Sequence, residues 1–170
     1  GLLGDVSSTD NTIIVPVPGN DSIFYLFTIG AAYKLNKGFR YTVINMSGDG
    51  GFGEVIDKNV ILESAAFEKI AAVRHCNNKD VWVVAHDTAS NGYYSYLVTA
   101  AGVNATPVIS HTGIVLPGLP RINAARIDSS FLGYLKASPN GRKIAAAHWN
   151  RNVDVSDFDI ATGVVSNTIS

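Results

Sequence analysis

Short apolar stretches separated by polar turns run along the whole chain, and one turn-and-strand pattern occurs three times. The copies begin at Val17, His75 and Ser138 and align without a gap. In each copy a polar turn rich in Pro, Gly or Asn precedes a nearly continuous apolar stretch. The copies lie roughly 60 residues apart, beyond the usual repeat length of about 20–50, and intervening loops account for the excess. The repetition predicts three structural units of one kind.

Each unit is predicted to contain four short antiparallel strands. After each repeated hairpin the sequence has two more strand-like stretches, at 39–46 and 54–62, at 93–99 and 105–111, and at 153–159 and 164–169. Period-two alternation bounded by clustered turn residues is typical of all-β folds. Four antiparallel strands per repeat is the content of one propeller blade. The sequence therefore predicts an all-β, β-propeller-like chain with about three four-stranded blades.

These units set the expected domain organisation. We expect one partial propeller over residues 1–170, with blade-like units at about 10–63, 68–111 and 133–170 and an inter-blade loop at 112–132. Closed propellers usually have four to eight blades, so three cannot close a ring. The end blades would leave strand edges and apolar surface open. The chain is accordingly expected to be an incomplete propeller, either a segment of a larger one or a protein that self-associates through its open edges.

Composition and charge exclude several classes of partner. The formal net charge is −1, with 13 Lys and Arg against 14 Asp and Glu and no run of basic residues. The chain therefore lacks the positively charged surface that would bind a phosphate backbone. We therefore expect no nucleic-acid partner. The sequence contains no stretch of about 20 apolar residues that would span a membrane, so we expect no membrane insertion. The single cysteine, Cys76, excludes an intrachain disulfide.

A resemblance to known families follows from the third unit. Its Ser138-Pro139-Asn140-Gly141 turn, followed by Asp159 and the Thr162-Gly163 pair, resembles blades of the YVTN and WD-repeat type. More widely, four stretches resemble the N-terminal propeller of large secreted proteins from Bacteroidota, with type IX secretion or gliding-motility-associated domains: 13–19, 25–28, 68–75 and 133–139. The resemblance implies an extracellular or cell-surface location. It brings no established catalytic motif to these positions.

Propeller topology would place the candidate binding residues on one surface. Loops at 29–38, 86–91, 112–132 and 149–152 should share the end opposite the repeated turns. Binding sites commonly occupy the loop-rich end of a rigid scaffold. The candidate binding residues on that end are His86, Asp87, Arg121, Asn123, Arg126, Trp149, Asn150 and Arg151. An exposed Trp beside such polar groups could stack on a sugar or anchor a protein partner, whereas the alternative is that Trp149 packs between blades.

Other candidate chemistry is weaker. His86 and Asp87 are adjacent, so on a strand their side chains point to opposite sides, which disfavours a base with an orienting carboxylate. The four histidines lack the spacing of a zinc site. The Gly-rich run at 48–53 lies between two predicted strands, whereas a phosphate-binding loop precedes a helix. We expect no catalytic residue, no metal site and no cofactor.

The sequence thus favours a non-catalytic extracellular or cell-surface module, a rigid platform for protein or glycan binding. The alternative is the propeller segment of an extracellular carbohydrate-active enzyme, a hydrolase or a lyase, whose active site is incomplete in this chain. The first is favoured because no paired carboxylates or His–carboxylate arrangement would be brought together by strand geometry.

Overall fold

The computed structural model describes residues 1–5, 7–31, 38–65, 67–116 and 129–170. These residues form thirteen β-strands and, in the turn before β4, a 3-10 helix at Asp49–Gly51. The strands are Thr12–Pro16 (β1), Ile23–Ile29 (β2), Phe39–Asn45 (β3), Glu54–Glu63 (β4), Phe67–Arg74 (β5), Val81–Asp87 (β6), Gly92–Thr99 (β7), Gly102–Val103 (β8), Val108–His111 (β9), Leu135–Ala137 (β10), Lys143–Ala147 (β11), Val153–Phe158 (β12) and Val165–Ile169 (β13).

The strands form three antiparallel sheets, and the predicted all-β class is confirmed. The first sheet has the order β1-β2-β3-β4, and the third has the order β10-β11-β12-β13. The second sheet has five strands, because β8 and β9 both pair with β7; β9 lies within the strand predicted at 105–111, whereas β8 precedes it. Between them, Asn104 Oδ1 accepts the Thr106 N–H at 3.0 Å, and Pro107 has no N–H to donate to a strand ladder. Because of this local turn, the strand predicted from residue 105 begins only at Val108.

The second sheet is covered on both faces. One face packs on the first sheet, through side chains such as Val83 and Tyr96 against Phe39. The other packs on the third sheet, through Val84 against residues such as Ile144. Because successive strand residues point to opposite faces, a strand covered on both sides must be apolar at nearly every position. This explains the continuous apolar run in β6.

The first strands of the sheets lie together, which defines two ends of the molecule. β5 lies against both β1 and β10. Where these strands begin, the Leu135 N–H donates to Asp10 Oδ2 at 2.9 Å, and the Asp10 N–H donates to the Glu68 carbonyl at 3.4 Å. We call this the loop end. At the opposite turn end, the Cys76 N–H donates to the Ile160 carbonyl at 3.1 Å, so that turns of the second and third sheets meet.

Turn residues act as the sequence predicts. Asp159 accepts hydrogen bonds from the Ala161 N–H at 2.9 Å and the Thr162 hydroxyl at 2.8 Å, and Gly163 has a φ of 76°. Asp159 therefore caps this turn. Within the residues the structure describes, no helix is long and apolar enough to cross a membrane.

Candidate functional site

The structure separates the predicted site residues into interior and surface positions. His86, at the end of β6, is only 1% exposed, so its placement on a binding surface is wrong. The ring packs edge-on against Tyr93, with 4.4 Å between ring centroids, and His86 Nδ1 lies 2.7 Å from the Asp87 carbonyl oxygen. The sequence puts His86 beside a turn, but only packing of the third sheet on the second buries it.

Asp87 has a local structural role. Its carboxylate accepts hydrogen bonds from the Ala89 N–H at 3.0 Å and from the Ser90 hydroxyl at 2.6 Å. These bonds hold the turn between β6 and β7, as Asp commonly does in turns. Asp87 does not lie beside Trp149 in the cleft described below. The predicted residues Arg121, Asn123 and Arg126 lie outside the described residues.

The turn between β11 and β12 carries the other three predicted residues. Trp149 is 59% exposed, which excludes the alternative that it packs between sheets. Asn150 and Arg151 are exposed beside it, and Asn150 has a φ of 57°. Asn tolerates this left-handed conformation better than most residues. The tight turn thus presents the indole to solvent.

Trp149 borders a surface cleft at the loop end. We call it the Trp149 cleft; its volume is about 550 Å³, and it is lined by Thr9, Leu132, Gly133, Tyr134, Ala147, His148, Trp149 and Asn150. Tyr134 is 53% exposed, so two aromatic side chains face solvent here. Sequence reasoning missed Tyr134 and Thr9. The hairpin register pairs Leu135 with Ala146, and extending that register from the predicted turn would have placed Tyr134 next to the end of β11.

Behind the cleft lies a buried group of ionisable side chains, which we call the buried polar cluster: Asp10, Glu68, Lys69, His86, His148 and Asp154. Lys69 projects from β5 and its ammonium donates hydrogen bonds to the backbone carbonyls of Ser130 and Phe131. Glu68 accepts the Ser8 hydroxyl at 2.9 Å and the Thr9 N–H at 3.2 Å. The cluster therefore ties the segment before β1 and the segment before β10 to β5.

Burial dominates the electrostatics of this cluster. It lowers the pKa of Lys69 to about 8, although Glu68, Asp10 and Asp154 act to raise it. Burial, followed by the nearby Lys69 charge, lowers the pKa of His86 to about 3. The same two causes lower the pKa of His148. Both imidazoles are therefore neutral at pH 7, because desolvation disfavours the charged form.

Asp154 joins three parts of the chain beneath the cleft. Its side chain is fully buried and accepts the Ile114 N–H at 2.9 Å, the Asn152 amide at 2.8 Å and the Ser170 hydroxyl at 2.8 Å. Asp154 Oδ2 also lies 3.6 Å from His148 Nε2. A buried carboxylate is stable only when such donors satisfy it. Asp154 thus fixes the turn that carries Trp149.

The ionisable groups of the buried polar cluster and the Trp149 cleft differ in their access to solvent. Among the described residues, no group of three or more His, Cys, Asp or Glu side chains is placed to hold a metal ion. Lys69, Glu68 and His86 are each about 1% exposed, so a substrate cannot reach them. The Trp149 cleft is open to solvent and offers aromatic faces and neutral polar groups.

Comparison with known proteins adds one partial likeness. No family model matches the chain. The chain is similar to an L-lactate dehydrogenase from Cupriavidus necator, at 32% identity over 108 residues. The match covers 59% of this chain and 28% of that protein. The chain therefore spans less than a third of the length of this relative.

Proposed function

We propose that this chain is a non-catalytic module of a secreted or cell-surface protein, a rigid platform that binds a protein or glycan ligand in the Trp149 cleft. The observation that carries the proposal is the exposure of Trp149 beside Tyr134. Large aromatic side chains are costly to leave in water, and they are frequent anchors in binding sites. A solvent-facing aromatic pair in one cleft, with Trp149 on the turn after β11 and Tyr134 next to β10, is therefore suited to a ligand.

The platform is proposed to be part of a propeller. The first strands of the three sheets lie side by side, with β5 between β1 and β10. In each sheet the later strands follow outward from that first strand. This order supports an arrangement of consecutive blades around an axis. The outer face of the third sheet also keeps Val153, Val155 and Ile169 exposed. Further sheets, or a second copy of the chain, would cover that face.

Binding of two variants to ligand arrays tests the proposed binding role. Trp149→Ala and Phe52→Ala are compared with the unchanged chain on glycan and peptide arrays. Phe52 is a matched control, because it is a 90% exposed aromatic in the turn between β3 and β4, at the turn end. We expect array binding to be lost with Trp149→Ala and kept with Phe52→Ala. Equal binding by both variants would remove the cleft from the proposed function.

A further inference from the structure

We propose that the ligand of the Trp149 cleft is an uncharged sugar ring that stacks on the Trp149 indole. This inference rests on the proposed function, since it names the ligand class of that same site.

The aromatic side chains have the amphipathic chemistry that a pyranose ring needs. A sugar presents C–H groups on its ring faces and hydroxyl groups at its edges, so it packs on an aromatic face and forms hydrogen bonds at the rim. Trp149 offers its indole face to solvent. Within the described residues, the Trp149 indole N–H, the Tyr134 hydroxyl and the Asn150 amide form no hydrogen bond with protein groups. These donors and acceptors are available for hydroxyl groups.

Among the residues that the structure describes, the cleft lining carries no formal charge. None of the eight lining residues is Asp, Glu, Lys or Arg, and the only imidazole, His148, has a pKa lowered by burial. At the rim of the cleft, the Lys136 ammonium lies 5.0 Å from the centroid of the Tyr134 ring and 3.5 Å from Asp10 Oδ1, and the exposed Arg151 follows Asn150. An acidic sugar or a charged peptide would find opposite charge only at the rim, where Lys136 is already paired with Asp10, and none among the described lining residues to offset its desolvation. The charge pattern favours a neutral ligand.

The cleft is built on paired backbone, so little entropy is lost when a ligand binds. The Trp149 N–H donates to the Leu132 carbonyl at 3.1 Å, and the Ala147 N–H donates to the Tyr134 carbonyl at 2.9 Å. Gly133, with a φ of 130°, allows this close approach, because an added Cβ would lie 2.3 Å from the Ala147 oxygen. Preorganised sites bind more tightly because ordering costs are lower. The volume of about 550 Å³ lies within the range of small-ligand sites.

The test compares neutral sugars with other ligand classes on the intact chain. Cellotetraose, chitotetraose and mannotetraose are titrated at pH 7 beside tetragalacturonate, a heparin tetrasaccharide and an apolar peptide library, with tryptophan fluorescence as the readout. The second tryptophan, Trp82, is buried between the second and third sheets and serves as an internal reference. We expect at least one neutral tetrasaccharide to bind and to shift the emission of Trp149.

The variants decide the assignment. Trp149→Ala is expected to weaken neutral-sugar binding at least tenfold and Trp149→Phe to weaken it less, because Phe keeps an aromatic face. Phe52→Ala should leave the affinity unchanged. If peptides or acidic sugars bind with dependence on Trp149 and neutral sugars do not, the ligand class is wrong while the platform function stands. If no ligand depends on Trp149, both proposals fail. Concentration-dependent self-association abolished by Trp149→Ala would also overturn the sugar assignment.

Discussion

Replacing Asp154 by Ala should destabilise the protein strongly, because this buried carboxylate is the acceptor for three separate segments. The Ile114 N–H, the Asn152 amide and the Ser170 hydroxyl all donate to it, at 2.8–2.9 Å. A hydrogen bond to a charged group contributes about 1.5–3 kcal/mol net. Asn152 and Ser170 are partly exposed and can rebond to water after the change. Because mainly the hydrogen bond from Ile114 and the contact with His148 are lost, we expect Asp154→Ala to lower the free energy of unfolding by about 2–4 kcal/mol.

Urea unfolding followed by tryptophan fluorescence and far-UV circular dichroism measures this loss. Asp157→Ala is the matched control, because Asp157 lies on the same strand but its side chain is 42% exposed and pairs with Lys143 at the surface. Exposed ion pairs contribute little, so the control should unfold close to the unchanged protein. Asp154→Asn keeps the volume and one accepting oxygen, and its midpoint should fall between the two. Equal midpoints for Asp154→Ala and Asp157→Ala would refute the organising role of Asp154.

Three further predictions concern packing and pH. Gly163→Ala should destabilise the protein more than Gly19→Ala in urea unfolding. Both glycines have positive φ, but a Cβ added at Gly163 would lie 2.8 Å from Trp82 ring carbons, whereas nothing lies within 4 Å of one added at Gly19. Equal losses of stability in the two variants would contradict the packing of the Gly163 turn on Trp82. Phe39→Ala should cost about 3–5 kcal/mol, because this fully buried ring joins the first two sheets, and a loss below about 1 kcal/mol would show that the interface can collapse into the space. His86 has a pKa of about 3 in the folded protein and about 6.5 in the unfolded chain, so the free energy of unfolding should fall as the pH drops from about 6.5 towards 3. His86→Phe should reduce the slope of unfolding free energy against pH by up to about 1.4 kcal/mol per pH unit. An unchanged slope in urea titrations at several pH values would exclude His86 as its source.

Much of the fold could be predicted from the sequence because its signals are local. The turn at Ser138–Gly141 and the cap at Asp159 depend on a few adjacent residues, and alternation along β3 and β12 indicates their strands directly. The short strand β8 was not predicted, because it consists of two residues next to a turn and is defined only by its pairing with β7.

The candidate site was predictable only in part. For Trp149, which directly follows an apolar strand and precedes Asn150, the sequence left two alternatives open, exposure at a turn or packing between blades. His86 occupies a similar position after β6, yet it is buried. The two positions differ because the third sheet covers the end of β6, whereas in the described residues Trp149 faces the open cleft. The sequence pattern of neither hairpin predicts that His86 is buried while Trp149 is exposed.

The sequence by itself determined the all-β class, the three antiparallel units and the turns that join their strands, because these follow from side-chain alternation and from the backbone preferences of Gly, Asn, Asp and Pro. Tertiary structure alone decided which strand ends are covered and which side chains meet. Lys69 and Asp154 are 85 residues apart in sequence (154 minus 69), and only sheet packing brings their charges together in a buried cluster. Tyr134 joins Trp149 in one cleft for the same reason: long-range contacts depend on how the sheets pack, and the local pattern does not specify them.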